Sequence, residues 1–187
     1  MKYKDEILDE IEQVLNSIDE KAVDEFIDWI KTSDKIVGYG AGRMGLSLKA
    51  FIMRLNHLGI KAYYLGDTYI PPLTQYDLVI VSSGSGETSM IKNFVEQVRK
   101  KTDCSVISVL GNKNSSIGRL SDFVVEYKSC NGGLNSFDSD EKINSIQLMS
   151  TLNEQATYIL FDIMAKKLAD KLGMDTAETK RYHFNVE

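Results

Sequence analysis

One stretch limits the folds open to this chain more than any other. Asp77-Leu78-Val79-Ile80-Val81 is an apolar, β-branched run that passes straight into Ser82-Ser83-Gly84-Ser85-Gly86-Glu87-Thr88-Ser89, and a helical pattern begins near Met90. Hydroxyls and glycines between a strand and a helix start make an anion site. Glycine lets the backbone come close, the hydroxyls donate, and the first free N–H groups of the helix point outward. The strand before such a loop belongs in a sheet whose two faces are both covered.

The rest of the chain supplies that cover. Strand-like runs recur at residues 35–39, 62–65, 105–110 and 123–127. Helical patterns lie between them at 46–58, stopped by Gly59, at 90–101, with a basic last turn, and at 115–120. Strands alternating with helices of this length mean βαβ units and a parallel sheet between helix layers, an α/β three-layer sandwich. Ligands of such sheets sit beyond the carboxyl ends of the strands, near a switch in strand order.

Both ends of the chain read as helix. Over residues 4–31, Ile7, Ile11, Val14, Ile18, Ala22, Phe26 and Ile30 form one continuous stripe, which predicts a single long helix that covers its own domain or a neighbouring subunit. Residues 145–172 predict a second long helix, stopped by Gly173. Its core face is Met149, Leu152, Ala156, Ile159, Ile163 and Met164, and its polar stripe is Gln147, Ser150, Thr151, Glu154 and Tyr158. Residues 128–144 have no period and are expected to be a long loop, either a flap or disordered. The 187 residues, 43% hydrophobic, suit one domain: an N-terminal helix to residue 31, a sheet core from 32 to 128, and a C-terminal helix and tail from 145. A net charge of −5 and no basic stripe argue against nucleic acid as a partner. No run is long enough to span a membrane, and no signal-peptide core opens the chain. Two cysteines, Cys104 and Cys130, are too few for a disulfide framework, so a cytoplasmic setting is expected.

A second glycine turn competes with the first. Gly40-Ala41-Gly42-Arg43-Met44-Gly45 matches the dinucleotide fingerprint G-x-G-x-x-G, and Asp67 follows the next strand where a ribose-binding acid would sit. The loop at 83–88 decides between them. A diphosphate bridge needs few hydroxyls, whereas a terminal phosphomonoester has three free oxygens to satisfy. Ser83, Ser85 and Thr88 around Gly84 and Gly86 offer three hydroxyls, more than a helix N-cap alone requires.

With both loops in view the chain resembles the sugar isomerase (SIS) domain family, and within it the hexuloisomerase group. The stretches that carry the likeness are Gly40-Ala41-Gly42-Arg43, residues 50–59, Leu65-Gly66-Asp67-Thr68, the 83–88 loop, Ser145-Ile146-Gln147, Glu154-Gln155 and the ending His183-Phe184-Asn185-Val186-Glu187. The resemblance implies a five-stranded, flavodoxin-like parallel sheet, no metal or other cofactor, and a homotetramer with sites near subunit interfaces. It implies a reversible isomerisation of D-arabino-3-hexulose 6-phosphate to fructose 6-phosphate, in the pathway that fixes formaldehyde through ribulose monophosphate. An isomerase of another ketose phosphate and a phosphosugar-binding protein without catalysis are the alternatives. The chain departs from the family pattern at Met44, where serine is usual, and at Leu148, Ser150 and Asn153, which replace proline, glycine and phenylalanine.

By the same resemblance Ser83, Gly84, Ser85, Gly86 and Thr88 hold the sugar phosphate, and Glu154 and His183 are the acid–base pair. A carboxylate raised toward neutrality by burial suits proton transfer between adjacent carbons. Gly42 and Arg43 in the first turn are expected to meet substrate, Arg43 facing either the enediolate and sugar hydroxyls or a structural ion partner. His57 is expected to be structural or to line an interface. The two histidines lie far apart without ligand spacing, which argues against a catalytic metal.

Overall fold

In a computed structural model that describes residues 1–130, 143–183 and 185–186, five strands form one sheet in the order β2-β1-β3-β4-β5, and each pair is parallel. The strands are β1 (Ile36–Gly40), β2 (Ala62–Tyr64), β3 (Leu78–Ser83), β4 (Ser105–Leu110) and β5 (Phe123–Glu126). The central β3 is buried along its whole length, as its apolar run requires. Leu78 and Ile80 enter the core shared with the N- and C-terminal helices, and Val79 and Val81 enter the core on the opposite face. Alternate side chains of one strand therefore seal both layers.

The first layer holds α1 (Lys4–Asn16), α2 (Glu20–Thr32), α3 (Gly42–His57) and α6 (Thr151–Leu172). Phe51 of α3 stacks on Phe161 of α6 with ring centroids 4.9 Å apart, an aromatic contact of about 1 kcal/mol beyond its buried area. The second layer holds α4 (Ser89–Lys101) and the short α5 (Ser116–Arg119). The chain then ends in α7 (Thr176–Thr179) and a 3-10 turn, Lys180–Tyr182. Gly59 and Gly173 end α3 and α6 at φ of 75° and 68°, in the left-handed region that glycine accepts without cost.

Two expectations are corrected. The helix over 4–31 is two helices, because Asp19 caps the start of α2 by accepting from the Lys21 amide at 3.0 Å while Ser17 turns back to the Val14 carbonyl. The apolar stripe crosses the break because both helices lie on the same core. The helix over 145–172 begins only at Thr151. Residues 145–147 are held out of it by Glu10 of α1, whose carboxylate takes the Ile146 amide at 2.7 Å. The predicted core face shifts with the helix: Leu152, Ala156 and Met164 are buried, but Met149, Ile159 and Ile163 are exposed, and Asn153, Thr157, Leu160, Phe161, Ala165 and Leu168 face inward instead. The loop expected over 128–144 falls mostly outside the described residues; at its ends Cys130 and Ile143 are bridged. No helix among the described residues is long and apolar enough to cross a membrane.

Candidate active site

Strand order reverses direction between β1 and β3, so the loops leaving these two strands flank one crevice. The loop after β3 is shaped by its own hydroxyls. Ser83 Oγ lies 2.9 Å from Thr88 Oγ1 and accepts the Gly86 amide at 3.1 Å, and Ser85 Oγ accepts the Glu87 amide at 3.1 Å. Gly86 turns the chain at φ 67°, where a Cβ would fall onto the Ser115 hydroxyl, so only glycine closes this loop. Thr88 precedes α4 without capping it through its side chain, so the helix N-terminus remains open toward an anion. Glu87 points away and accepts the Ser116 amide at 2.6 Å, which ties the loop to α5. Burial alone would raise its carboxyl, but the Ser116 contacts, with Lys92 and Arg119 nearby, hold it below the ordinary value.

The first turn of α6 closes the crevice from the other side. Asn153 is buried. Its Oδ1 accepts the Cys130 amide at 3.0 Å, and its Nδ2 would stand 3.1 Å from a Cβ placed on Gly84. One residue on, Glu154 faces the first glycine turn. Its Oε2 lies 2.8 Å from Arg43 Nε but out of hydrogen-bond alignment, its Oε1 accepts from Ser150 Oγ at 3.0 Å, and its backbone carbonyl accepts from Ser47 Oγ at 3.0 Å. The Glu154 side chain is 14% exposed and that of Arg43 61%. Arg43, Leu46, Ser47, Glu154, Gln155 and Tyr158 line an open pocket of about 210 Å³. Gly42 gives the turn its bend, with φ 56°, and Met44 packs inward, where its Sδ receives the Thr157 hydroxyl at 3.0 Å. Gly42 and Arg43 lie inside α3, which begins four residues earlier than its apolar pattern suggests.

The sequence candidates thus fall into two places. Ser83, Gly84, Ser85, Gly86, Thr88, Gly42, Arg43 and Glu154 gather at the carboxyl end of the sheet. His183 stands apart, packed on His57 at the far end of α3 with ring centroids 5.0 Å apart. α3 runs 16 residues from Gly42 to His57, roughly 22 Å at 1.5 Å per residue, so His183 does not reach Glu154 within one chain. The ending is docked there, since Tyr182 packs on Gly59; Phe184 and Glu187 lie outside the described residues. Burial, with Arg54 and His183 nearby, lowers the His57 pKa. Asp67, the ribose-binding candidate, folds back on its own turn and accepts the Tyr64 amide at 2.8 Å. The Tyr64 hydroxyl in turn donates to the Gly40 carbonyl at 2.6 Å and crowds Gly45. Gly40 and Gly45 therefore serve close packing within the turn, and Gly42 its left-handed bend.

Sequence reasoning passed over Tyr127. It is fully buried just past β5, its hydroxyl has no hydrogen-bond partner among the described residues, and it would stand 3.7 Å from a Cβ on Gly84. Burial pushes its pKa up, so it remains a neutral phenol beneath the loop. A tyrosine where a strand meets the carboxyl end of the sheet was the available signal. Among the described residues no three His, Cys, Asp or Glu converge as a metal site would require.

Residues 30–132 match the SIS domain family. The chain belongs to this family. A 3-hexulose-6-phosphate isomerase of Bacillus subtilis is 34% identical over 100% of this chain and 98% of its own length. A protein of the same name from Mycobacterium gastri is 29% identical over 97% of this chain and 88% of its own. A crystal structure from Methanococcus jannaschii, described as inferring a 3-hexulose-6-phosphate isomerase function, superposes with a TM-score of 0.80 at 25% identity, covering 100% of both chains. The SIS fold expected from the sequence is the fold observed.

Proposed function

We propose that this SIS protein is a phosphosugar isomerase that interconverts D-arabino-3-hexulose 6-phosphate and fructose 6-phosphate through an enediolate. The observation that carries the reading is the first turn of α6, where Asn153 lies against Gly84 of the hydroxyl-lined loop and the adjacent Glu154 lines the pocket with Arg43. An anion holder and a carboxylate thereby share one crevice, which is the minimum that a phosphosugar isomerase needs. The similarity to proteins named 3-hexulose-6-phosphate isomerase supports the choice of substrate.

The loop at 83–88 holds the phosphomonoester at the N-terminus of α4. Glu154 removes the C2 proton of the 3-ketose, and the electron pair moves into a C2–C3 double bond with negative charge on O3. Return of a proton to C3, with exchange of the O2 and O3 hydroxyl protons, leaves the carbonyl at C2. Arg43 is placed to meet the developing negative charge and can trade its ion pair with Glu154 for the enediolate oxygen. His183 moves the hydroxyl protons, and it reaches the pocket only from another copy of the chain. The reading therefore includes a homo-oligomer, a tetramer by resemblance. The exposed Leu46 and Tyr158 at the pocket rim, 66% and 47% accessible, support a covered rim. The two buried free cysteines suit a cytoplasmic setting.

The test is turnover of D-arabino-3-hexulose 6-phosphate by purified protein, with fructose 6-phosphate as the measured product. Turnover is expected. Tight fructose 6-phosphate binding without turnover would make this a phosphosugar sensor. Thermal stabilisation by NAD but not by the sugar phosphate would restore the dinucleotide reading.

A further inference from the structure

One buried charged side chain has no part in the chemistry above. Glu10 lies midway along α1 and is 7% exposed. Its Oε2 accepts from Ser145 Oγ at 2.7 Å and Gln147 Nε2 at 3.0 Å, and its Oε1 accepts the Ile146 amide at 2.7 Å. Ser145 Oγ also accepts the Gln147 amide at 3.0 Å. Three consecutive residues, about 135 positions away in sequence, thus converge on one carboxylate. All three are donors, which suits an acceptor-only anion.

We infer that Glu10 is a positioning residue for Glu154, acting through the segment it anchors. The inference rests on the isomerase reading of the site. Helix propensity alone runs the 145–172 pattern as one helix, and Glu10 stops this by capturing the Ile146 amide. The chain then passes Leu148 and Met149, the latter at φ 52°, and delivers Ser150 to the start of α6. Ser150 Oγ holds Glu154 Oε1 at 3.0 Å. The path from anchor to base is therefore Glu10, Ser145 to Gln147, Ser150, Glu154, with hydrogen bonds at both ends and the two-residue bridge Leu148-Met149 between. The hydrogen bonds of the phosphate loop lie off this path: they run among residues 83–88, to Gly111 and to Ser116 and Ile117. The loop meets α6 in packing, at Gly84 against Asn153, whose side chain is itself held by the Cys130 amide. Loosening the anchor therefore moves the base more than the phosphate loop, and a displacement on the order of 1 Å at a reacting group costs up to about a hundredfold in rate.

The experiment compares wild type with Glu10→Ala, Glu10→Gln and Ser145→Ala. It reads kcat and KM for hexulose 6-phosphate, and amide hydrogen exchange across residues 143–155, α2 and α4. Glu10→Ala is expected to lower kcat by about ten- to a hundredfold with KM changed by less than about twofold. Exchange should rise across 145–154 and not in α2 or α4. Glu10→Gln keeps one acceptor oxygen and should recover part of both losses, and Ser145→Ala should show the same effects more weakly. A Glu10→Ala kcat within about twofold of wild type would overturn the inference. So would exchange rising equally in all three regions, the mark of a stability residue. If Glu10→Ala does not fold, Glu10→Gln and Ser145→Ala make the same comparison. If wild type shows no turnover, the isomerase reading fails by itself. Exchange then decides the anchor: a rise confined to 145–154 sustains it, and no rise removes it.

Discussion

Within residues 83–88 the hydrogen bonds join neighbours. Ser83 meets Thr88 and Gly86, and Ser85 meets Glu87. At the start of α6 the contacts come from far away. Arg43 and Ser47 of α3 reach Glu154 across more than a hundred residues, and Glu10 of α1 fixes the approach from the N-terminal side. The 83–88 loop forms with its strand and helix, while the Glu154 carboxylate is placed only when α1, α3 and α6 have packed together. On the proposed function, binding and chemistry therefore depend on different parts of the fold. Substitutions in the loop should act on KM, and substitutions around α6 should act on kcat.

The largest effect is expected from Glu154→Gln. The amide preserves size and can still accept from Ser150, but it cannot take a carbon-bound proton. Turnover should fall by about 10²- to 10⁴-fold with KM nearly unchanged, read from steady-state kinetics on hexulose 6-phosphate. A variant that keeps its kcat removes Glu154 as the base and ends the division of labour between the two regions. Gly86→Ala should come next. Its φ of 67° is strained for any Cβ, and that Cβ meets Ser115. The loop must shift, with a stability loss above about 1 kcal/mol and fructose 6-phosphate affinity lower by more than about tenfold. Thermal melts with and without the sugar phosphate check both. Unaltered affinity in a folded variant would show that the loop holds no phosphate.

The same contrast sets how much was legible in the sequence. The Leu78 to Val81 run and the glycine-hydroxyl loop after it are local signals, and they led to the correct fold; the loop closes through its own side chains. The break at Ser17 to Asp19 was also local, but the apolar stripe runs through it unchanged, so periodicity hid the Asp19 cap. The late start of α6 could not be read locally at all. Its cause is Glu10, which lies in α1 and looks like one more exposed charge in an amphipathic helix. Distance in sequence likewise concealed that His183 lies beside His57, because no pattern in the tail records which end of α3 it docks against. The G-x-G-x-x-G match was misleading for a physical reason: Gly45 is small to admit Gly40 and Tyr64, a packing need that leaves the same letters as a dinucleotide turn.

Ser83→Ala should act more mildly than Gly86→Ala and on binding alone. It removes one hydroxyl from the cradle and leaves the Gly86 amide without its acceptor. A hydrogen bond to a charged phosphate is worth about 1.5 to 3 kcal/mol, so KM should rise on the order of tenfold while kcat holds. A fall in kcat with KM unchanged would reverse the roles assigned to the two regions.

The smallest effect probes the side-chain contact that ties the loop to α5. Glu87 accepts the Ser116 amide at 2.6 Å across 29 residues, and its pKa is depressed in the folded chain. A depressed carboxyl contributes stability that is fully present above its unfolded value, ordinarily 4.5, and is lost as pH falls through the folded value. The melting temperature of wild type should therefore exceed that of Glu87→Gln at pH 7, and the gap should narrow as pH drops below 4.5. Affinity for fructose 6-phosphate at pH 7 should be nearly equal in the two proteins, because the carboxylate points to α5 and away from the hydroxyls. A gap that stays constant with pH would show that the contact does not depend on ionised Glu87. A marked loss of affinity in the variant would show that the loop is held from α5, and would make it as dependent on distant residues as the start of α6.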